Sequence, residues 1–96
     1  MSRVTVEFLG LPNAAKLAGG RSLALDCPDG TIAAAIRAAA DRGGPPLARY
    51  LLDAEGRLDL SFQVVLNNRE WLRRDQLDRP LHDGDVVAIT MLVGGG

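Results

Sequence analysis

The residues that most clearly suggest a chemical function are the last three, Gly94-Gly95-Gly96. Glycine has no side chain to pack and loses the most conformational freedom on ordering, so we expect a flexible glycine tail over residues 93–96. Five residues from Leu92 onward span roughly 17 Å when extended, at about 3.3–3.6 Å per residue. A peptide this thin can thread a narrow channel and present the Gly96 carboxylate to another protein's active site. A branched side chain at Gly95 or Gly96 would block such a channel.

The other reactive side chains do not form a recognisable catalytic or metal-binding pattern. Cys27, the single cysteine, precedes Pro28 and has no His or Asn partner pattern, so we interpret it as a small, half-buried apolar residue. The single histidine, His82, stands beside Asp83 in a predicted turn. One histidine and one cysteine are too few for a zinc site, and no glycine-rich phosphate loop is present. We therefore predict no catalytic residue, no metal ligand and no bound cofactor.

Length and charge restrict the class of protein. A chain of 96 residues fits one small domain, which we place at residues 1–92. The 11 basic and 12 acidic residues give a net charge of -1, which does not support nucleic-acid binding. The first residues lack the basic and then apolar pattern of a signal peptide, and no apolar run approaches a membrane span. We expect a cytoplasmic protein without a nucleic-acid or membrane partner.

Hydrophobic periodicity predicts the elements of the first half of the chain. Alternating apolar residues favour strands over residues 4–8 and 21–26, paired as an antiparallel hairpin whose long loop contains a short mixed stretch at 13–18. The turn Pro28-Asp29-Gly30-Thr31 then predicts the start of a helix, which Thr31 or Asp29 can cap. Its apolar stripe has the helical spacing i, i+3, i+4 and i+7 and consists of Ile32, Ala35, Ile36 and Ala39.

The second half of the chain reads mainly as strands and turns. The predicted segments are a short helical turn at 47–52, a polar loop at 53–57, a central strand at 62–66, a tight turn at Asn67-Asn68, a short return strand at 70–72 and a last strand at 86–92. We interpret Trp71, the only tryptophan, as a partly buried anchor. This order predicts an α+β fold with a mixed sheet of four to five strands and one main helix packed on one face. The first and last strands can lie side by side and parallel at its centre, which is the β-grasp arrangement.

Several segments also match a known family. They are Val4-Thr5-Val6-Glu7-Phe8, the Thr31-capped helix after Pro-Asp-Gly, Val64-Val65-Leu66-Asn67-Asn68, Pro80-Leu81-His82-Asp83-Gly84-Asp85-Val86-Val87, and Gly95-Gly96. On these residues the chain resembles the ubiquitin-like sulfur carrier proteins of the MoaD/ThiS family over nearly its whole length. The most specific part is Leu-x-Asp-Gly-Asp-x-Val shortly before a Gly-Gly end. Met91-Leu92-Val93 depart from the prolines or alanines common there, and the long 43–61 loop is closer to molybdopterin-type and cysteine-synthase-type members than to thiamine-type carriers.

The resemblance implies a function for Gly96. An E1-like adenylyltransferase of the MoeB/ThiF type would adenylate its carboxylate with ATP. A sulfur donor such as a sulfurtransferase or desulfurase would then convert it to a thiocarboxylate, which a downstream synthase consumes. Gly94 and Gly95 would thread the partner's active site. The chain would be a carrier rather than an enzyme, for example the small non-catalytic subunit of a molybdopterin synthase-like complex, with ATP bound only by the partner.

The partner-docking surface is predicted on the sheet face away from the helix, because small α+β domains leave such a face open. By position its candidates are Leu9, Phe62, Thr90 and Leu92. Ordinary core positions or incidental exposure are the competing interpretation of the same residues.

Other functions stay open at this stage. The first is a β-grasp interaction or regulatory domain whose glycines are only a disordered end, which a tail continuing past Gly96 would favour. The second is a ubiquitin-like protein modifier joined through Gly96 to lysines of its targets. Within the carrier reading, the sulfur acceptor can belong to the molybdopterin, cysteine, thiamine or tRNA thiolation route.

Overall fold

The elements follow the predicted order, with a short α-helix and a 3-10 helix that were not predicted. The structure, a computed structural model, describes residues 2–27 and 30–91. The turn residues Pro28 and Asp29 and the segment 92–96 lie outside the described residues. The elements are β1 (Ser2–Leu9), α1 (Pro12–Ala18), β2 (Ser22–Cys27), α2 (Ile32–Gly43), α3 (Pro45–Leu51), β3 (Phe62–Leu66), β4 (Glu70–Leu72), a 3-10 helix (Arg74–Gln76) and β5 (Val86–Met91).

The strands form one mixed sheet in the order β2-β1-β5-β3-β4. β1 and β5 are parallel neighbours, with Val6 opposite Val87 and Phe8 opposite Ile89. The pairs β1–β2, β3–β4 and β3–β5 are antiparallel. The predicted β-grasp arrangement, with the first and last strands side by side and parallel, is therefore confirmed.

The main helix, α2, forms where its capping residue and apolar stripe predicted it. The Thr31 side-chain oxygen accepts a hydrogen bond of 3.1 Å from the N–H of Ala34, which satisfies one of the free amides of the first turn. The buried side chains of α2 are Ile32, Ala35, Ile36, Ala39 and Ala40. They cover one face of the sheet, because β1, β3 and β5 direct their alternate side chains toward them.

Two short helices, α1 and α3, complete the helical layer. α1 occupies the stretch interpreted as mixed, and it carries the standard signals of Pro12 in the first turn and Gly19 in the left-handed region at its end (φ +83°). α3 extends the predicted helical turn and begins at Pro45, directly after Gly44 (φ +84°). Both helices are too short to be stable alone and are stabilised by burial against the rest of the fold. The local sequence pattern therefore predicts them poorly. In the described part of the chain, no helix is long and apolar enough to cross a membrane.

The buried face of α2 gives the first testable prediction. Ile36→Asp places a carboxylate at a position that is 1% exposed, with no cationic partner among the core residues. Burying an unpaired charge costs several kcal/mol against a total stability of about 5–15 kcal/mol. We expect Ile36→Asp to be largely unfolded by circular dichroism and urea titration.

Ala34→Asp is the matched control, because it adds the same charge to an exposed position of the same helix. We expect this control to melt close to the parent. If Ile36→Asp melted like Ala34→Asp, the packing of α2 on the sheet would be wrong.

Candidate functional site: the tail strand and the open sheet face

The strand that leads into the glycine tail lies at the centre of the sheet. β5 pairs with β1 on one side and with β3 on the other, and Val87, Ala88 and Ile89 are fully buried. Met91 is the last described residue of this strand. The predicted roles of Leu92, Gly94, Gly95 and Gly96 fall outside the described residues. What the structure fixes is the position and direction of the chain up to Met91.

A hydrogen-bonded clamp formed by Asn67 and Asp85 holds the start of β5. The Asn67 side chain accepts from the N–H of Val86 at 2.8 Å and donates to the Asp85 carboxylate at 3.0 Å. The Asn67 N–H donates to the Val86 carbonyl at 2.8 Å, and the Asp85 carboxylate accepts from the N–H of His82 at 2.8 Å. On the β1 side, the Thr5 N–H donates to the Asp85 carbonyl at 3.0 Å. This clamp therefore joins β5 to both of its neighbours.

The Asp83-Gly84 turn ties the same end of β5 to the start of β1. The Asp83 carboxylate accepts from the N–H of Arg3 at 2.8 Å, and the Gly84 N–H donates to the Arg3 carbonyl at 2.8 Å. Gly84 has φ +88°, a conformation that other residues adopt at a cost. The Asp-Gly-Asp segment, the most specific part of the sequence resemblance, thus has a structural role in setting the strand register.

The side chain of Asp85 is nearly buried, and its environment favours the charged form. Burial by itself raises the pKa of this carboxyl, but hydrogen bonds from the Asn67 amide and the His82 N–H, with the charges of His82 and Arg79, bring the pKa below its usual value. The His82 ring is 80% exposed and its Nδ1 lies 3.8 Å from Asp85 Oδ2. His82 therefore contributes to the clamp mainly through its backbone.

The open face of the sheet is the side that the helices do not cover. It is defined by the outward-facing residues Thr5, Glu7 and Leu9 of β1, Gln63 and Val65 of β3, Trp71 of β4, and Val86, Ala88 and Thr90 of β5. Leu9 and Thr90 are register partners and both are half-buried. Two of the four predicted docking residues are therefore neighbours on this face, and Leu92 lies outside the described residues.

Phe62 is not on the open face, and its prediction as a docking residue is wrong. It is 7% exposed and shares the helix-covered face with Val64, and its ring centroid lies 5.6 Å from that of Tyr50. Of the two outward-facing residues of the segment 62–66, Gln63 is polar but Val65 is apolar, so the sequence alternates too weakly to assign a side to Phe62.

Trp71 is on the open face, contrary to the interpretation of a partly buried anchor. Its register partner is Val65, and its neighbour Leu72 points into the core, so Trp71 projects from the opposite side of β4. The Trp71 side chain is 62% exposed. At the centre of the open face, the small side chain of Ala88 is fully buried between its register partners Glu7 and Val65. The open face is therefore a shallow surface with an exposed aromatic residue at one edge.

The two remaining reactive residues, Cys27 and His82, lie in separate parts of the fold. Cys27 is the last residue of β2, at the sheet edge, and His82 is in the turn before β5. Within residues 2–27 and 30–91, no group of three or more His, Cys, Asp or Glu side chains is placed to hold a metal ion.

Comparisons with known proteins place this arrangement in a fold class. No model of a protein family and no curated protein matches the sequence. Among solved structures, SAMP1 from Haloferax volcanii aligns with a TM-score of 0.78 at 24% identity, covering 99% of this chain and 100% of that one. A putative molybdopterin converting factor, subunit 1, from Pyrococcus furiosus aligns with a TM-score of 0.70 at 19% identity, covering 97% and 100%. Urm1 from Sulfolobus solfataricus aligns with a TM-score of 0.63 at 15% identity, covering 92% and 99%.

These neighbours share the ubiquitin-like β-grasp fold with this chain. Because the alignments run over nearly the whole of both chains, the resemblance indicated by the sequence motifs is confirmed in the fold.

The clamp gives a pH-dependent prediction. The pKa of Asp85 is lower in the folded protein than the unfolded value of about 3.9, so its stabilising contribution is complete above that value. This contribution is lost as the pH falls through the folded pKa. Asp85→Asn lacks it at every pH, so we expect the stability gap between parent and Asp85→Asn to be largest near pH 6 and to shrink below pH ~4.

Urea unfolding at a series of pH values measures this gap. Asp41→Asn removes a carboxylate from an exposed position of α2 and is the control for a change of charge alone. A gap for Asp85→Asn that stays constant between pH 6 and acid would contradict a charged role of Asp85 in the clamp.

Proposed function

We propose that this chain is a ubiquitin-like sulfur carrier whose Gly96 carboxylate is activated and thiolated by partner enzymes. The observation that carries the proposal is the central position of β5, whose sequence continues into the glycine tail. A clamped strand of a β-grasp domain followed by a thin glycine peptide suits delivery of a backbone carboxylate into another protein's active site. One structural neighbour, described as a putative molybdopterin converting factor subunit 1, supports this assignment.

The proposed chemistry needs two bond exchanges at the tail. A carboxylate oxygen of Gly96 attacks the α-phosphorus of ATP on an E1-like adenylyltransferase, which forms the acyl adenylate and releases pyrophosphate. A sulfur nucleophile at the oxidation level of hydrosulfide, released by a thiol reductant from the persulfide of a sulfurtransferase or desulfurase, then attacks the carbonyl carbon. The carbon–sulfur bond forms as the bond to AMP breaks, and a downstream synthase consumes the resulting thiocarboxylate. In this scheme the chain is a co-substrate of its partner enzymes.

The open face is the proposed docking surface for the adenylyltransferase. Leu9 and Thr90 lie on it side by side, and Thr90 belongs to the strand that leads into the tail. Trp71 adds an exposed aromatic side chain of the type enriched at the centres of protein interfaces. A partner bound to this face would hold the end of β5, where the tail sequence begins, in a fixed position.

A second candidate function is protein modification. Three neighbours are named as SAMP1 or small archaeal modifier protein 1, from Haloferax volcanii and Methanosarcina acetivorans. In that reaction the amine of a target lysine would attack the activated Gly96 carbonyl and form an isopeptide bond with release of AMP. The two functions differ in their need for a sulfur donor, which the following experiment controls.

The first functional prediction concerns Gly96. With ATP, an E1-like adenylyltransferase and a sulfur donor, we expect intact-mass spectrometry to show the replacement of one oxygen by sulfur. Deleting Gly96 should abolish the product, because the new terminus falls one residue, roughly 3.5 Å, short of the nucleotide. Gly96→Val should also fail, because its side chain blocks the channel.

His82→Ala and Cys27→Ala are the controls, because neither residue has a proposed chemical role, and both should be thiolated like the parent. Efficient thiolation of the truncated chain, or loss of product in Cys27→Ala alone, would refute the carrier mechanism. An adduct that forms without a sulfur donor and carries a target protein would favour the modifier function.

The second functional prediction concerns the open face. We expect Trp71→Ala and Leu9→Asp each to raise the KM of the adenylyltransferase for this chain roughly tenfold or more, with little change in kcat. The reason is that docking contacts act equally on the ground state and the transition state. Leu17→Ala is the matched control, since Leu17 is an exposed leucine (40%) on α1 in the helical layer. Equal KM values for Trp71→Ala and Leu17→Ala would remove Trp71 from the docking surface.

A further inference from the structure

A cleft of about 630 Å³ lies in the helical layer, away from the open face. We call it the helix-side cleft. Its walls are the first half of α2, the segment 52–58 and the segment around the 3-10 helix. A volume of this size falls in the range of about 300–1,000 Å³ that small-molecule sites occupy.

One wall of the helix-side cleft is the polar loop predicted at 53–57, which internal hydrogen bonds close into a tight hairpin. The Asp53 carboxylate accepts from the N–H groups of Glu55 (2.8 Å) and Arg57 (3.0 Å), and the Asp53 N–H donates to the Arg57 carbonyl at 2.7 Å. Leu52 and Leu58 pair as an isolated bridge below this turn. Because its backbone groups are satisfied internally, this hairpin is a fixed wall that presents Arg57 at the rim of the cleft.

Three arginines from different elements line the helix-side cleft: Arg37 of α2, Arg57 of the hairpin and Arg74 of the 3-10 helix. Arg74 Nη2 donates to the Leu58 carbonyl at 2.5 Å. Arg37 Nη2 lies 4.0 Å from the place that a Cβ on Gly56 would occupy. Both guanidinium groups therefore lie against the same hairpin. Among the described residues, none of these three arginines forms a salt bridge.

The floor of the helix-side cleft is apolar. Leu52 and Leu77 are half-buried and pack against the hydrophobic core, whose residues Ile36 (1% exposed) and Leu58 (5% exposed) also line the cleft. A ligand with an apolar body can cover the exposed parts of Leu52 and Leu77, which gives a hydrophobic gain in addition to contacts with the arginines.

The acidic residues of the cleft limit the charge of a ligand. Glu55, Asp75 and Asp78 also line it, although Asp75 is engaged by Arg73 at 3.2 Å. A rim with both signs of charge disfavours a polyanion such as a nucleic acid. It suits a molecule with one anionic group placed between the guanidinium groups.

We propose that the helix-side cleft binds a small molecule that carries one carboxylate or phosphate group on an apolar body. Guanidinium groups recognise planar or tetrahedral oxyanions through paired N–H donors, and Arg37 and Arg57 have these donors free of carboxylate partners in the described residues. Because the helix-side cleft is in the helical layer, its occupation is independent of docking at the open face. The proposal does not depend on the sulfur-carrier function.

Amide chemical-shift titration of the full chain tests this proposal. Phenylacetate and phenyl phosphate are the two anionic probes and distinguish a carboxylate from a phosphate ligand. Benzyl alcohol keeps the apolar body without the charge, and inorganic phosphate keeps the charge without the body. We expect saturable shifts at the amides of Arg37, Gly56, Arg57 and Leu77 with at least one anionic probe, and much weaker binding of benzyl alcohol and inorganic phosphate.

The variants separate specific recognition from general attraction of anions. We expect the double variant Arg37→Gln/Arg57→Gln to bind the anionic probe roughly tenfold or more weakly, since it lacks the charge-assisted hydrogen bonds to the oxyanion. The double variant Arg21→Gln/Arg69→Gln removes the same charge from exposed positions outside the cleft and should bind like the parent. The single variant Arg57→Gln provides a second test in case the double variant perturbs α2.

Three results would overturn the proposal. The first is the absence of saturable shifts with either anionic probe. The second is equal binding of benzyl alcohol, which would mean that the arginines play no part. The third is an equal loss of affinity in the two double variants, which would show a non-specific effect of net charge.

Discussion

The register of β5 between β1 and β3 is the constraint on which the rest of the structure depends. In a strand, a shift of one residue moves every side chain to the other face of the sheet. In the observed register Val87 and Ile89 enter the core, while Ala88 and Thr90 face outward. The clamp of Asn67 and Asp85 fixes this register at the first residues of β5. Partial exposure to water at this position lowers the desolvation cost of the two polar side chains. Hydrophobic burial thus stabilises the sheet, and the hydrogen bonds select one alignment of it.

The same alignment separates the surfaces of the molecule by role. The helix-covered face carries the packed core, with no buried polar side chain among the described residues, and so it supplies stability. The open face leaves Leu9, Trp71 and Thr90 accessible for contact. Exposed apolar surface is unfavourable in water, and the proposed docking function would explain why it is present on this face. The helix-side cleft lies in the other layer. A partner on the open face therefore leaves the cleft accessible.

The sequence predicts this structure well where local signals agree with tertiary packing. Thr31 and the stripe from Ile32 to Ala39 give α2, and the alternation in β1 gives its buried face. The face of Phe62 was not predicted correctly, because Gln63 is the only polar residue of β3 and the apolar Val65 weakens the alternation that would assign each side chain to a face. The Asn67–Asp85 contact joins residues 18 positions apart, and Arg37, Arg57 and Arg74 meet only after folding. Such long-range juxtapositions have no signal in a single sequence.

The link between the clamp and the tail follows from strand geometry. A slip of β5 by one residue would displace its end by about 3.3 Å and would turn Thr90 into the core. For a carrier whose reacting group lies at the end of a thin peptide, that displacement is as large as the loss of one glycine. It would also remove Thr90 from its place beside Leu9 on the proposed docking surface. In the proposed carrier, the clamp and the tail length therefore act on the same quantity, the distance from the docked sheet to the Gly96 carboxylate. This shared dependence gives a physical reason for finding an Asp-Gly-Asp turn and a glycine end in one chain, although the two lie at opposite ends of β5.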